Sequence, residues 1–231
     1  ACALSMQKAM AELNTLHAAE GMPALEMGIG ISSGEVVVGN IGSERRTKYG
    51  VIGNAANLAA RIEAFSTGQQ VLISSETLDR CHAAVESVRE FEVSVKGVDH
   101  PLRIIEVSAI HSPFDVRFTP TWAELRDVQK EAVLEVSVLD GKSVSEKVLR
   151  KPLCAVSRQQ ALLEDAGELQ LRADVRLLAL HVDEGRVPME MYGKVTAVGD
   201  GTVTLRFTSI LLGETEAYLS GLLDLPQEAA E

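Results

Sequence analysis

Asn57 and Arg61 stand four positions apart in YGVIGNAANLAARIEA, residues 49–64, shortly after a glycine. On a helix that spacing puts both on one face, one turn apart. An Asn amide can hold a sugar or a base by hydrogen bonds, and an Arg guanidinium can stabilise charge on a phosphoryl group. Two solvated surface residues would show the same spacing. Asn54, following Gly53, reads as the helix cap, because Asn favours caps over helix interiors. Asn57 falls within the first turn, so it either points at solvent or is aimed at a ligand. Leu58, Ile62 and Phe65 form the neighbouring apolar stripe, which anchors the helix and leaves Asn57 and Arg61 toward an edge or cleft.

The elements that must position this pair follow from the flanking text. MGIGISSGEVVVGNIGS predicts two strands, about 26–31 and 35–41, joined at SSGE as a hairpin. SERRTK reads as a solvated charged loop and YGVIG as a short strand leading into the helix. Beyond FSTGQQ, VLISS predicts a strand and SETLDRCHAAV a short helix opened by Ser75. FEVSVKGVDHPLRIIEVSAI gives two strands about a KGVDHP turn. The chain opens inside a helical pattern, without an initiator Met, with Cys2, Met6, Met10, Leu13 and Leu16 as its apolar stripe. This start predicts a sequence cut from something longer. Strands and helices alternate to about residue 110, as in an α/β or α+β sandwich.

From there the rhythm changes. HSPFDVRFTPTWAELRDVQKE, with two prolines, reads as a connector that is partly helical. Short strands with regular turns follow: AVLEVSVLD and SVSEKVL about an Asp140-Gly141 turn, then ALLEDAGEL, DVRLLALHV, and a pair hinged at GDGT within MEMYGKVTAVGDGTVTLRFTSI. They predict a small β-barrel closed by a helix at TEAYLSGLL. At 231 residues the chain accommodates two domains, expected at 1–110 and 132–225 with a linker at 111–131.

Composition removes several classes. A net charge of -11 argues against broad phosphate-backbone binding, so no nucleic-acid partner is expected. Cys2, Cys81 and Cys154 are sparse, odd in number and without ligand spacing, which suits reduced thiols and a cytoplasmic location. The five histidines are scattered, and Glu35 and Glu44 read as solvated loop or edge residues. No stretch approaches the ~20 apolar residues of a membrane span.

Residues 25–64, LEMGIGISSGEVVVGNIGSERRTKYGVIGNAANLAARIEA, resemble the C-terminal half of a class III adenylate/guanylate cyclase catalytic domain. The likeness continues through GQQVLISSETLDR and FEVSVKGVDHPLRIIEV, covering about residues 1–108. It rests on G-I-x-x-G-x-V-x-x-G-x-x-G followed by Y-x-x-x-G-x-x-x-N-x-A-x-R. The resemblance implies a ferredoxin-like α+β sandwich, N-terminally truncated here, that pairs head to tail as a homodimer with ATP or GTP between the subunits. It implies attack of the ribose 3′-hydroxyl on the α-phosphate, assisted by two Mg or Mn ions. Asn57 then matches the ribose-orienting Asn, Arg61 the transition-state Arg, and Lys96 a phosphate-contacting Lys. Gly50 falls at the purine-selecting position, where Asp or Thr is common, which leaves both triphosphates open. Asn54 stands where Asp is frequent, and Ser32-Ser33-Gly34 replaces a common His-Thr-Gly. The two metal-binding aspartates of the family belong to a half that would precede Ala1, so this chain alone is expected to be inactive.

The second domain resembles a PilZ barrel. PLCAVSRQQALLEDAGEL is similar to that family's D-x-S-x-x-G strand entry, with Ala155 for the Asp, Ser157 retained and Gln160 for the Gly. No R-x-x-x-R precedes that entry, and Arg150-Lys151 is the nearest basic pair. Cyclic di-GMP binding is therefore not expected. The sequence thus reads as a bacterial signalling protein: a cyclase domain with a regulatory barrel, or alternatively a catalytically inactive nucleotide-sensing or dimerisation module.

Overall fold

Val and Ile residues packed on both faces of successive strands need cover on both sides, and the first unit supplies it with a helix on each. The computed structural model describes residues 1–43, 45–93, 101–140, 143–165, 167–182 and 185–209. The chain divides into two compact units, Ala1–Pro120 and Thr121–Glu231. The first contains α1 (Cys2–Ala19), β1 (Ile29–Ile31), β2 (Val37–Ser43), β3 (Arg46–Ile52), α2 (Asn54–Ala64), β4 (Val71–Ser74), α3 (Ser75–Asp79), β5 (Val85–Val93), β6 (Leu102–Ile110) and β7 (Val116–Arg117).

The main sheet runs β1-β4-β6-β5, with β7 on β6. β1 and β4 are parallel, Gly30 lying opposite Leu72, and the remaining pairs are antiparallel. On one face Val71, Ile73, Ile105, Val107 and Ile110 pack with Leu4 of α1. On the other, Leu72, Val93, Leu102 and Ile104 pack with Ile62 of α2, joined by Leu58 and Phe65 as expected.

Three local expectations are corrected. The strand pair about SSGE is not a hairpin: β1 joins the main sheet, while β2 pairs with β3 in register from Val37–Ile52 to Ser43–Arg46. The chain reverses between Ser43 and Arg46, which pair with each other, so Arg46, Thr47 and Lys48 are strand residues; Glu44 lies outside the described residues. Gly42 permits this turn with φ +142, and a Cβ on it would stand 2.1 Å from the Arg46 carbonyl oxygen. Each of the two helix caps falls one residue earlier than expected. Gly53 precedes α2, with Asn54 its first helical residue, and Ser74 caps α3 by accepting a hydrogen bond from the Thr77 amide.

The third correction concerns α1. The stripe of Cys2, Met6, Leu13 and Leu16 does not face the sheet: Met6, Leu13 and Leu16 are exposed, Leu16 at 63%. Leu4 and Gln7 are the buried residues. Polar groups explain the orientation. Gln7 Nε2 donates to the carbonyls of Met27 and Gln70, and Asn14 exchanges two hydrogen bonds with the Leu25 backbone. The Met27 and Gln70 carbonyls also accept backbone amides, from Gln69 and Ile29, so Gln7 adds a second donor to each and ties the helix to the loop through its amides.

The segment 111–131 holds no helix and instead forms β7 and β8 (Arg126–Asp127). The second unit continues with β9 (Ala132–Asp140), β10 (Ser143–Val156), β11 (Gln160–Glu164), β12 (Asp174–Val182), β13 (Gly185–Val198) and β14 (Thr202–Ser209). Their order β11-β14-β13-β12-β9-β10, with β10 pairing back onto β11, closes a six-stranded barrel, and β8 adds to β10. Closure removes free edges. Its interior is packed by Leu134, Val136, Leu163, Leu177, Met191 and Leu205, each at most 1% exposed. The helix expected at TEAYLSGLL lies outside the described residues.

Candidate functional site

α2 carries Asn57 and Arg61, and its seat is unusual. Along its length it lies against glycines. A Cβ on Gly34 would stand 2.8 Å from Ala55 Cβ; on Gly30, 2.2 Å from the Glu63 amide nitrogen and 2.7 Å from the Ala59 carbonyl oxygen; on Gly28, 2.0 Å from Ser66 Oγ. The strand descends from 34 to 28 as the helix climbs from 55 to 66, so α2 runs antiparallel to β1. Strand residues two apart and helix residues four apart advance by about the same 6–7 Å, which lets the contacts repeat. Ala55 and Ala59 lie over this track while Ile62 enters the core. Asn57 and Arg61 are left on the exposed side, one turn apart.

Asn57 uses its backbone amide to bond the Gly53 carbonyl oxygen, and among the described residues its side-chain amide has no hydrogen-bond partner. An uncommitted amide and a guanidinium on one exposed turn can receive, respectively, a sugar hydroxyl and a phosphoryl oxygen. Gly50 sits on β3 opposite Gly39, with Ile41 Cδ1 3.7 Å from where a Cβ would stand. A side chain therefore fits there, and none is present. Lys96 lies outside the described residues. Glu35 is exposed beside the entry to α2, its carbonyl oxygen 2.8 Å from a Cβ placed on Gly53.

Ser32 enters the sequence reading only as part of the Ser32-Ser33-Gly34 departure, with no role of its own. It lies between Gly30 and Gly34, and its Oγ is buried with no hydrogen-bond partner among the described residues. A small polar residue in a glycine-rich run carries no periodic signal that would mark it.

Among the described residues no group of three His, Cys, Asp or Glu comes together that could hold a metal ion. No helix among them is long and apolar enough to cross a membrane.

The first unit is thus a sheet flanked by helices, with an amide and a guanidinium exposed on one turn of α2. Residues 1–106 match the family model of the adenylate and guanylate cyclase catalytic domain. Adenylate cyclase 1 of Rhizobium meliloti is 30% identical over 111 residues, covering 47% of this chain and 17% of that protein. The adenylate cyclase of Anabaena cylindrica is 36% identical over 117 residues, covering 46% of this chain and 23% of its own length. The crystal structure of the guanylyl cyclase Cya2 shares 46% identity, covers 52% of this chain and 60% of that one, and superposes with a TM-score of 0.48. The chain spans about a fifth of the length of the curated relatives it matches. The family match and the two adenylate cyclases support a nucleotide cyclase catalytic domain in the first unit.

Proposed function

We propose that the first unit binds a purine nucleoside triphosphate and supplies the nucleotide-orienting side of a class III cyclase site, within a bacterial signalling protein that makes a 3′,5′-cyclic nucleotide and pyrophosphate. The carrying observation is the exposure of Asn57 and Arg61 together on a helix whose height above the sheet is set by glycine. The main sheet with its α2 crossing is read as part of a ferredoxin-like core. Asn57 would accept and donate hydrogen bonds at the ribose, fixing the direction of its 3′-hydroxyl. Arg61 would offer guanidinium N–H groups to the charge that grows on the α-phosphate. Lys96 is proposed as a further phosphate contact. Cyclases of this class use two Mg or Mn ions, and the part proposed here for Asn57, Arg61 and Lys96 is to hold the nucleotide.

A homodimer through the first unit fits the β2–β3 ribbon. Two strands alone are marginal in water, and this ribbon exposes apolar residues on both faces: Val37 (70% exposed) with Ile52, and Val38 with Val51 and Tyr49 (76% exposed). Such a surface suits burial against another subunit. The relatives' names divide between adenylate and guanylyl cyclases, and Gly50 offers no side chain to choose a purine. That bare position favours a second reading, a nucleotide-sensing or dimerisation module without turnover.

The barrel is proposed as a PilZ-like regulatory module that does not bind cyclic di-GMP. Ala155 is buried and has no carboxylate to offer, and Ser157 Oγ is already engaged, accepting from the Gln159 and Gln160 amides at 3.3 and 3.1 Å.

Titrating fluorescent ATP and GTP analogues into the chain tests the nucleotide site. Saturable binding that weakens in Asn57→Ala and Arg61→Ala supports it, and the absence of binding by either analogue overturns it. In any longer form with turnover, either substitution is expected to lower cyclic nucleotide output by at least ~100-fold. Calorimetry with cyclic di-GMP is expected to give no micromolar isotherm, and one that does would reverse the reading of the barrel.

A further inference from the structure

The outer face of the barrel carries a charge arrangement that the nucleotide site does not use. Glu135, on β9, is buried at 7% exposure although it points away from the apolar interior. Its Oε1 accepts from Arg150 at 3.1 Å and from His181 Nε2 at 2.8 Å, and its Oε2 accepts from Arg186 at 2.8 Å. The three donors come from three different strands, β10, β12 and β13, which lie in the order β13-β12-β9-β10.

Arg150 and Arg186 therefore start three strand spacings apart, roughly 14 Å across the sheet. Both guanidiniums nevertheless bend inward to the same carboxylate. Stability does not require this: one well-placed cation neutralises one carboxylate, and an additional exposed ion pair returns little for the ordering of a long side chain. Each guanidinium gives Glu135 one NH2 group and among the described residues bonds to no other acid, Arg150 being 69% and Arg186 51% exposed by side chain. Among the described residues Glu135 is the carboxylate that both of them touch. With two arginines against one acid, the cluster keeps a net positive charge even with His181 neutral, on a chain whose total is -11.

Glu135 acts here as the anchor. It holds two planar donor forks at a fixed, close separation with donors still open, which is the geometry that receives oxyanions bidentately. Its own negative charge disfavours a singly charged ligand. A group that carries two or more charges, and three oxygens to span both forks, regains that cost. We propose that Arg150, His181 and Arg186, gathered by Glu135, form a binding site for the phosphate group of a small soluble ligand.

Calorimetry on the 231-residue chain at constant ionic strength tests this, using inorganic pyrophosphate and O-phosphoserine as probes. The expected result is a saturable pyrophosphate isotherm that weakens at least ~10-fold, about 1.4 kcal/mol, in Arg150→Ala and in Arg186→Ala. Arg61→Ala, which removes the guanidinium proposed for the nucleotide site, leaves this isotherm unchanged. Each single variant retains a guanidinium and His181 against Glu135, so the fold survives. Absence of saturable heat up to about 10 mM probe, a range that reaches beyond millimolar affinity, overturns the proposal, as does an isotherm indifferent to both arginines. Tighter binding of O-phosphoserine than of pyrophosphate would overturn the small-ligand assignment in favour of a phosphorylated protein. Asp183 and Glu184 neighbour Arg186 in sequence and lie outside the described residues. Binding seen only in Asp183→Asn/Glu184→Gln would show the arginines already engaged by those acids, and would likewise overturn it.

Discussion

Gly30 and Glu63 meet backbone to backbone: a methyl group on Gly30 would stand 2.2 Å from the Glu63 amide nitrogen and 2.6 Å from its Cα. Neither atom is the end of a flexible side chain, so relief requires the whole of α2 to lift or slide. Gly30→Ala is expected to destabilise the first unit by at least about 1–3 kcal/mol, the usual range for overpacking a core. Gly50→Ala supplies the control, since its Cβ meets Ile41 Cδ1 at an ordinary 3.7 Å. That substitution is expected to be neutral or to stabilise the strand by up to about 1 kcal/mol. Urea midpoints of the two variants check the contrast, and equal midpoints would refute the tight seat.

Ser32 sits in the same track with the opposite expectation. Its Oγ is buried without a hydrogen-bond partner among the described residues, so the folded state carries the hydroxyl's desolvation with nothing in return. Ser32→Ala is expected to hold or raise stability, by up to about 1 kcal/mol, because unmade buried hydrogen bonds cost about 1–3 kcal/mol. A thermal midpoint several degrees lower in the variant would mean that the hydroxyl is satisfied in solution.

On α1 the polar residue is expected to matter more than the apolar one. Gln7→Ala strips two hydrogen bonds from the Met27 and Gln70 carbonyls, at a cost of about 1–3 kcal/mol. Leu16→Ser, at an exposed position, is expected to stay within about 0.5 kcal/mol. Denaturant unfolding of this chain decides between the two, and a larger loss for Leu16→Ser would place that face against something.

That inversion shows where the sequence was readable and where it was not. Hydrophobic period found α2 and its anchors, because Leu58, Ile62 and Phe65 do meet the core. The same rule misassigned α1, because Gln7 and Asn14 orient it through loop carbonyls, which apolar spacing does not register. SSGE has hairpin composition, yet the pairing that β1 adopts is parallel and distant, Ile29 against Val71. In the barrel, Asp200-Gly201 marked its turn correctly, with Gly201 at φ +74. The closing contact of β10 with β11 was out of reach, since β10 spans 14 residues with a register shift near each end and pairs with three strands. The pair proposed for the site was legible as a spacing, Asn57 to Arg61, on one exposed helix turn. Its glycine seat was not, because the pattern names the glycines without saying what approaches them.

Acid should act on the barrel through Glu135. Donation from Arg186, then His181 and Arg150, holds its carboxyl at about 2, below an ordinary value of 4.5. Because the folded value is the lower one, folding favours the ionised form. The contribution is complete above about 4.5 and disappears as pH falls through about 2. Asp165 and Glu168 are also lowered by Lys151, so total stability falls for several reasons at once. Glu135→Gln separates them. The gap in unfolding free energy between the parent chain and this variant is expected to narrow as pH drops from about 4.5 toward 2, whereas the other carboxylates contribute equally to both. Trp122, which stacks against Arg206 in the second unit and is the sole tryptophan of the chain, reports that unfolding by fluorescence. A gap that stays constant across the window would show that the three cations do not hold Glu135 in solution, and would weaken the phosphate site they are proposed to form.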